Sequence, residues 1–117
     1  MKWLKHAAVA LLLLVFSAPQ LAAAAPRKLR VEGKKWEWIP AEVKLKVGEP
    51  VEITFVSLDV KHGVSCREVG LAATPFDRER PAVVRFTPTQ AGTFTFKCSH
   101  LCGKGHRKML GKFVVVP

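Results

Sequence analysis

The chain has 117 residues, which is room for one domain and too few for two. It carries 19 Lys and Arg against 9 Asp and Glu, a formal net charge of +10. A positive field of this size favours an acidic partner. It does not favour nucleic acid, because the basic residues are spread along the chain and the protein is expected to be exported.

The first 24 residues are predicted to be a secretory signal peptide. Two lysines precede an unbroken apolar run over residues 7–16, and small residues follow it. Cleavage after Ala24 leaves Ala22 and Ala24 at the recognition positions and a mature domain of residues 25–117. The apolar run is shorter than the ~20 residues that span a bilayer, so an uncleaved anchor is the less favoured alternative. We expect a periplasmic or otherwise exported protein without stable membrane insertion.

The rest of the chain predicts short β-strands. Apolar side chains recur at every second position, which is the period of a strand, and no segment keeps a helical period. Glycines and prolines, Pro75 among them, separate the runs at the spacing of an all-β sandwich. The runs that show the pattern best are residues 43–47, 51–55, 84–86, 94–96 and 113–116. We predict a single all-β domain.

The segment with distinctive chemistry is the loop between the last two of these runs. It contains Cys98, Cys102, His106 and Met109, and the chain has three cysteines in all, so at least one is free or bound to metal. Thiolate and thioether favour copper(I), and imidazole suits both copper oxidation states. A methionine ligand argues against structural zinc, which prefers Cys and His. The loop therefore predicts a copper site.

A further ligand is expected from elsewhere in the chain, and His62 is the best candidate. It follows a strongly apolar strand, and in a β-sandwich the loops at the ends of distant strands meet at one pole. After signal cleavage only His62, His100 and His106 remain. Cys66, four residues beyond His62, is predicted to be a buried core thiol and not a ligand.

The loop resembles the binuclear copper (CuA) site of cytochrome c oxidase subunit II and of nitrous-oxide reductase. In that family Cys, Cys, His and Met follow one another with three, three and two residues between them, and this sequence has the same spacings. Residues 57–63 are similar to the family's upstream histidine segment, and Trp36-Glu37-Trp38 resembles its aromatic strand. The resemblance implies a single cupredoxin-type Greek-key β-sandwich that relays electrons and turns over no substrate.

The resemblance also implies a role for each ligand. Two copper ions would be bridged by the thiolates of Cys98 and Cys102. The first ion would be completed by the His62 imidazole and the Met109 thioether. The second ion would be completed by the His106 imidazole and the backbone carbonyl of His100. Oxidase members carry a carboxylate where His100 stands and meet a basic cytochrome c with an acidic face. This domain is basic, so either its redox partner, a cytochrome or a membrane respiratory enzyme, is acidic, or its docking patch is local and does not show in the net charge.

Three alternatives remain open. Cys102, His106, Met109 and His62 alone would make a mononuclear blue-copper carrier, in which Cys98 would be superfluous. The same soft ligands would serve a periplasmic copper-binding or delivery protein, which should expose its metal. Cys98 and Cys102 could instead form a disulfide in an oxidising compartment. An enzyme is not favoured, because the ligand set leaves no open position on the metal.

Overall fold

The computed structural model describes residues 10–17 and 25–117, so most of the predicted signal peptide lies outside the described residues. Within them the chain forms nine strands and two 3-10 turns, Arg67–Val69 and His106–Lys108. The strands are β1 (Arg27–Lys34), β2 (Glu37–Ile39), β3 (Glu42–Lys46), β4 (Val51–Ser57), β5 (His62–Cys66), β6 (Leu71–Phe76), β7 (Ala82–Phe86), β8 (Gly92–Lys97) and β9 (Leu110–Val116). None of the described segments is a helix long and apolar enough to cross a membrane.

The strands form two sheets, which confirms the predicted all-β sandwich. One sheet has four strands in the order β2-β1-β4-β7, and the other has five in the order β3-β9-β8-β5-β6. The pairs β1–β4 and β3–β9 are parallel, and the other neighbours are antiparallel. Pro75, expected to separate strands, instead lies within β6, because an edge strand tolerates a residue that cannot donate a hydrogen bond on its open side.

The core is built by the side chains that alternate along each strand. In β4 the pattern buries Val51, Ile53 and Phe55 and leaves the intervening residues half-buried. Opposite them Phe96 and Phe113 are fully buried, with ring centroids 4.5 Å apart. Each such buried side chain contributes about 1.5–3 kcal/mol of transfer free energy, so this alternation holds the two sheets together.

The two ends of the sandwich differ, and we name them for what closes them. The loop pole consists of residues 35–36, 58–61, 77–81 and 98–109, which connect strands that meet at one end. The turn pole consists of residues 47–50 and 87–91 at the opposite end. His62 begins β5 and Lys97 ends β8, so the loop pole brings the upstream histidine and the Cys/His/Met loop to the same end, as the sequence predicts.

Candidate metal centre

The loop 98–109, here called the ligand loop, is closed at its base by backbone hydrogen bonds. The Cys98 N–H donates to the Met109 carbonyl at 3.2 Å, which continues the β8–β9 ladder by one step. Within the loop, the Lys108 N–H donates to the Gly105 carbonyl at 2.9 Å and forms a 3-10 turn. Gly103 has φ +119°, a conformation that disfavours any side chain. The tight path turns the donor side chains inward.

Five donor side chains meet inside this loop. The sulfur atoms of Cys98 and Cys102 are 3.5 Å apart, and Met109 Sδ lies 3.9 Å from Cys102 Sγ. His62 Nδ1 lies 3.8 Å from Cys98 Sγ, and His106 Nδ1 lies 3.5 Å from Cys102 Sγ. The donor atoms of His62, Cys98 and Cys102 all lie within 4.8 Å of one another. A small metal centre can bind all of them at once.

His100 joins the cluster through its backbone. Its carbonyl oxygen lies 3.1 Å from Cys98 Sγ, while its side chain is exposed to solvent. The side chain of His106, by contrast, is half-buried and turns toward the sulfur atoms. The structure therefore brings together all six residues that the sequence singled out, with His100 contributing its carbonyl and not its imidazole.

Asp59 fixes the orientation of His62. Its Oδ1 lies 2.8 Å from His62 Nε2, and its Oδ2 accepts the Lys35 backbone N–H at 2.7 Å. Burial would raise the pKa of Asp59, but the hydrogen bonds from Lys35, His62 and Val60 outweigh it and lower that pKa. The charged carboxylate holds a proton on Nε2 and leaves the Nδ1 lone pair facing the thiols. Carboxylate–histidine pairs of this kind orient metal-binding imidazoles.

Two tryptophans support the ligand loop from the β1–β2 segment. The Trp36 indole N–H donates to the Cys102 carbonyl at 3.3 Å, and the Trp38 indole N–H donates to the Met109 carbonyl at 3.1 Å. Trp38 is 2% exposed in the core, whereas Trp36 is 38% exposed at the rim. Trp36 also covers Gly105 so closely that a Cβ there would overlap its ring. The family resemblance places both tryptophans on an aromatic strand but does not reveal these contacts.

The chemistry of the donor set fits copper. Burial, followed by the neighbouring Cys98 thiol, raises the pKa of Cys102 to about 12. Metal binding must therefore displace the Cys102 proton, because the thiolate is the form that binds metal. Two thiols, two imidazoles and a thioether are ligands that copper accepts in both oxidation states. All three cysteines are free, and the Cys98–Cys102 sulfur separation of 3.5 Å is longer than a disulfide bond.

Cys66 does not belong to this cluster. It is 2% exposed within the core, as predicted, and its thiol lies 3.6 Å from Glu68 Oε2. Burial raises the pKa of Cys66, which favours the protonated thiol.

Fold and site together define a β-sandwich that gathers buried sulfur and imidazole donors in the loops at one pole. The chain belongs to the cupredoxin-like domain family, whose family model matches residues 6–115. It is thus a domain of the copper-binding, electron-transfer class. No curated protein sequence matches the chain significantly.

Solved structures share this fold. The periplasmic domain of cytochrome oxidase subunit II of Bradyrhizobium japonicum is 21% identical with a TM-score of 0.71, covering 80% of this chain and 86% of that one. The metal-binding domain of the Cu(I)-exporting P-type ATPase of Streptococcus pneumoniae, solved with Cu(I), is 29% identical with a TM-score of 0.62, covering 77% and 85%. Auracyanin of Roseiflexus castenholzii is 16% identical with a TM-score of 0.61, covering 80% and 100%.

Proposed function

We propose that this chain is an exported electron carrier with a binuclear, CuA-type copper centre. The observation that carries the proposal is that the two imidazoles face different thiols. His62 Nδ1 contacts Cys98 Sγ at 3.8 Å, whereas His106 Nδ1 contacts Cys102 Sγ at 3.5 Å. A single blue-copper ion takes both imidazoles together with one thiolate, whereas here each imidazole lies beside its own thiol.

The same residues would divide between two metal positions. His62 and Met109 would hold the first ion, His106 and the carbonyl of His100 would hold the second, and both thiolates would serve the pair. When bound, the copper pair supplies a one-electron redox centre whose charge is spread over two metals.

The protein's contribution is to hold these donors rigidly and keep water away. Asp59 fixes the His62 ring, and the Trp38 N–H fixes the Met109 carbonyl. His62 and Met109 are both fully buried. Ligands that are already locked in place rearrange little when the charge of a centre changes, and little rearrangement favours rapid electron transfer.

Cys98 favours the binuclear centre over a mononuclear blue-copper site. The fold alone does not decide between them, because a cytochrome oxidase domain and the blue-copper protein auracyanin A of Chloroflexus aurantiacus both resemble it. Cys98 is 3% exposed, and its sulfur touches His62, the His100 carbonyl and Cys102. A mononuclear site would leave this second buried thiol without a purpose.

Burial favours an electron carrier over a copper-delivery protein. A delivery protein must surrender its metal to a partner, which requires exposed ligands. Here Cys98, Cys102, His62 and Met109 are between 0% and 6% exposed. A relative in a Cu(I)-exporting ATPase shows that the fold can serve transport proteins, but the burial here favours retention of the metal.

Export belongs to the same proposal. The predicted signal peptide over residues 1–24 would export the domain to the periplasm. The similar oxidase subunit II domain of Bradyrhizobium japonicum is a periplasmic domain.

Electron paramagnetic resonance, read together with the copper content, tests the proposal. The protein is expressed as the full chain, its thiols are reduced, and copper is added. We expect two coppers per chain and an unpaired electron split equally by two copper nuclei. Splitting by one nucleus would replace the proposal with a blue-copper carrier. A silent spectrum with tightly held copper would replace it with copper(I) delivery.

A further inference from the structure

We propose that the exposed rim of the loop pole is a docking surface for an acidic redox protein. This inference rests on the proposed function, since it names the partner of the same copper centre. The surface combines a set of exposed cations, here called the basic ring, with exposed apolar side chains in the same loops of the pole. The basic ring consists of Lys35, Lys61, Lys104, Arg107 and Lys108.

The basic ring is tied to the metal centre by the chain itself. Lys104, Arg107 and Lys108 lie within the ligand loop, between Cys102 and Met109. Lys61 directly precedes His62, and the backbone N–H of Lys35 donates to Asp59. Four of the five cations therefore belong to segments that hold or adjoin the proposed copper ligands, and the fifth, Lys35, contacts the carboxylate that orients His62.

The charge of the basic ring is not neutralised within the domain. Among the described residues, none of its five members lies within ion-pair distance of a carboxylate. Asp59, the acid adjoining this ring, is engaged with His62. The neighbouring segment 77–81 carries two acids and two arginines and adds no net charge. A surface whose cations have no internal partners is one that attracts an acidic protein.

Apolar side chains are exposed in the same loops as the basic ring. Leu101 is 78% exposed, Leu58 44% and Trp36 38%. Leu101 stands between His100, whose carbonyl contacts Cys98, and Cys102 itself. Protein interfaces combine apolar contacts with polar and charged ones, and both kinds of side chain are exposed here. A redox protein docked over Leu101 would therefore lie close to both thiols.

A groove extends the positive surface along one side of the pole. It has a volume of about 1110 Å³, and its wall includes Cys98 and His106 together with Arg67, Lys97 and Arg107. Glu68 is the single acid in this wall. The groove adds cations beside two site residues and so widens the same docking surface.

Electron exchange with a cytochrome c carrying opposite surface charges tests the inference. The probes are a basic cytochrome c and the same protein with its lysines succinylated, which keeps the haem and reverses the charge. In each reaction one electron leaves the ferrous haem and reduces the oxidised copper centre by one electron, with no bond made or broken. At low ionic strength we expect the succinylated form to react about tenfold faster or more, and added salt should remove the difference.

Two double variants with the same change in net charge show which part of the surface causes the preference for the succinylated probe. The first is Lys104→Glu with Lys108→Glu in the basic ring, and the matched control is Lys44→Glu with Lys46→Glu on β3. We expect the first pair to remove the preference for the succinylated probe and the control to keep most of it. If both variants lost this preference equally, only the net charge would matter and the inference would be overturned. A faster reaction of the unmutated protein with the basic cytochrome c would overturn it as well.

A binding measurement separates this inference from the copper proposal. Amide chemical shifts of the thiol-reduced, metal-free protein are followed while succinylated cytochrome c is added. Shifts centred on Leu101 and the basic ring support the docking surface even if the two-copper spectrum is absent. Shifts that avoid the loop pole contradict it even if that spectrum is present.

Discussion

The turn pole and the loop pole are closed in different ways. At the turn pole, backbone groups bond to backbone groups: the Gly48 N–H donates to the Pro88 carbonyl at 2.8 Å, and the Val47 N–H donates to the Val116 carbonyl at 2.9 Å. Its nearby charges, Arg27 and Glu49, form an ion pair at 3.4 Å. At the loop pole, the side chains of Trp36, Trp38 and Asp59 bond to backbone groups of other segments.

The difference shows where this fold places its chemistry. Backbone closure satisfies its own polar groups and leaves nothing to bind a ligand. Side-chain closure at the loop pole holds donor atoms in fixed positions while their metal-facing lone pairs and the surrounding cations remain free for external partners. The predictions below test this contrast, beginning with the change expected to have the largest effect.

Loss of one of the two clustered thiols should have the largest effect. We expect Cys98→Ser to bind fewer than two coppers per chain and to lose the two-nucleus splitting, because an alcohol does not replace a bridging thiolate. Copper content and electron paramagnetic resonance measure this. The matched control is Cys66→Ser, which alters the buried thiol outside the cluster and should keep both coppers. Equal copper loss in the two variants would contradict the assignment.

Loss of the carboxylate behind His62 should have the next largest effect. We expect Asp59→Asn to bind copper about 10- to 100-fold more weakly, because an amide no longer fixes the charge and tautomer of the imidazole. Competition with a copper chelator measures the affinity. Asp77→Asn is the control, since Asp77 accepts only the backbone N–H groups of Glu79 and Arg80. Affinities that match in the two variants would show that Asp59 is not an orienting residue.

The two tryptophans should differ in their effect on stability. Trp38→Phe removes a buried hydrogen bond to Met109 and leaves a small void, so we expect a loss of about 2 kcal/mol. Trp36→Phe removes a bond at the exposed rim and should cost about 1 kcal/mol or less. Urea unfolding of the metal-free, thiol-reduced protein measures both. A larger loss for Trp36→Phe would mean that the rim contact, and not the core contact, holds the ligand loop.

Removal of an ion pair on the four-stranded sheet should have the smallest effect. Arg85 donates to Glu52 at 2.9 Å, but its side chain is 67% exposed. Solvent screens such pairs, so we expect Arg85→Gln to cost at most about 0.5 kcal/mol in the same unfolding experiment. Copper binding should not change. A loss well above 1 kcal/mol would show that side-chain charges, and not the backbone alone, close this half of the molecule.

The sequence predicts the sandwich and the residues of the cluster for separate reasons. Alternating apolar positions in β3 and β4 identify buried strand faces directly, and the structure confirms Val43, Leu45 and Ile53 in the core. The cluster is indicated by the rare combination of ligand types at fixed spacing, and the structure brings those residues together. Their binding of copper stays a prediction until metal is measured.

The supporting contacts could not be predicted in the same way. Trp36 and Trp38 reach carbonyl groups 66 and 71 residues away, and no local pattern encodes contacts over such distances. Asp59 did leave a signal, because it precedes His62 by three residues and a carboxylate so near a candidate ligand often orients it. β1 was missed because its charged residues obscure the alternation of Leu29 and Val31.

The contact between Trp36 and Gly105 has a consequence for evolution. Any side chain at position 105 would overlap the indole ring, so the two positions share one volume. Substitution at either position alone should therefore be selected against. A paired exchange, of the indole for a small side chain and of the glycine for a larger one, would preserve the combined side-chain volume. Among descendants of this sequence, residues 36 and 105 should covary as one inherited unit, although 68 intervening residues separate them along the chain.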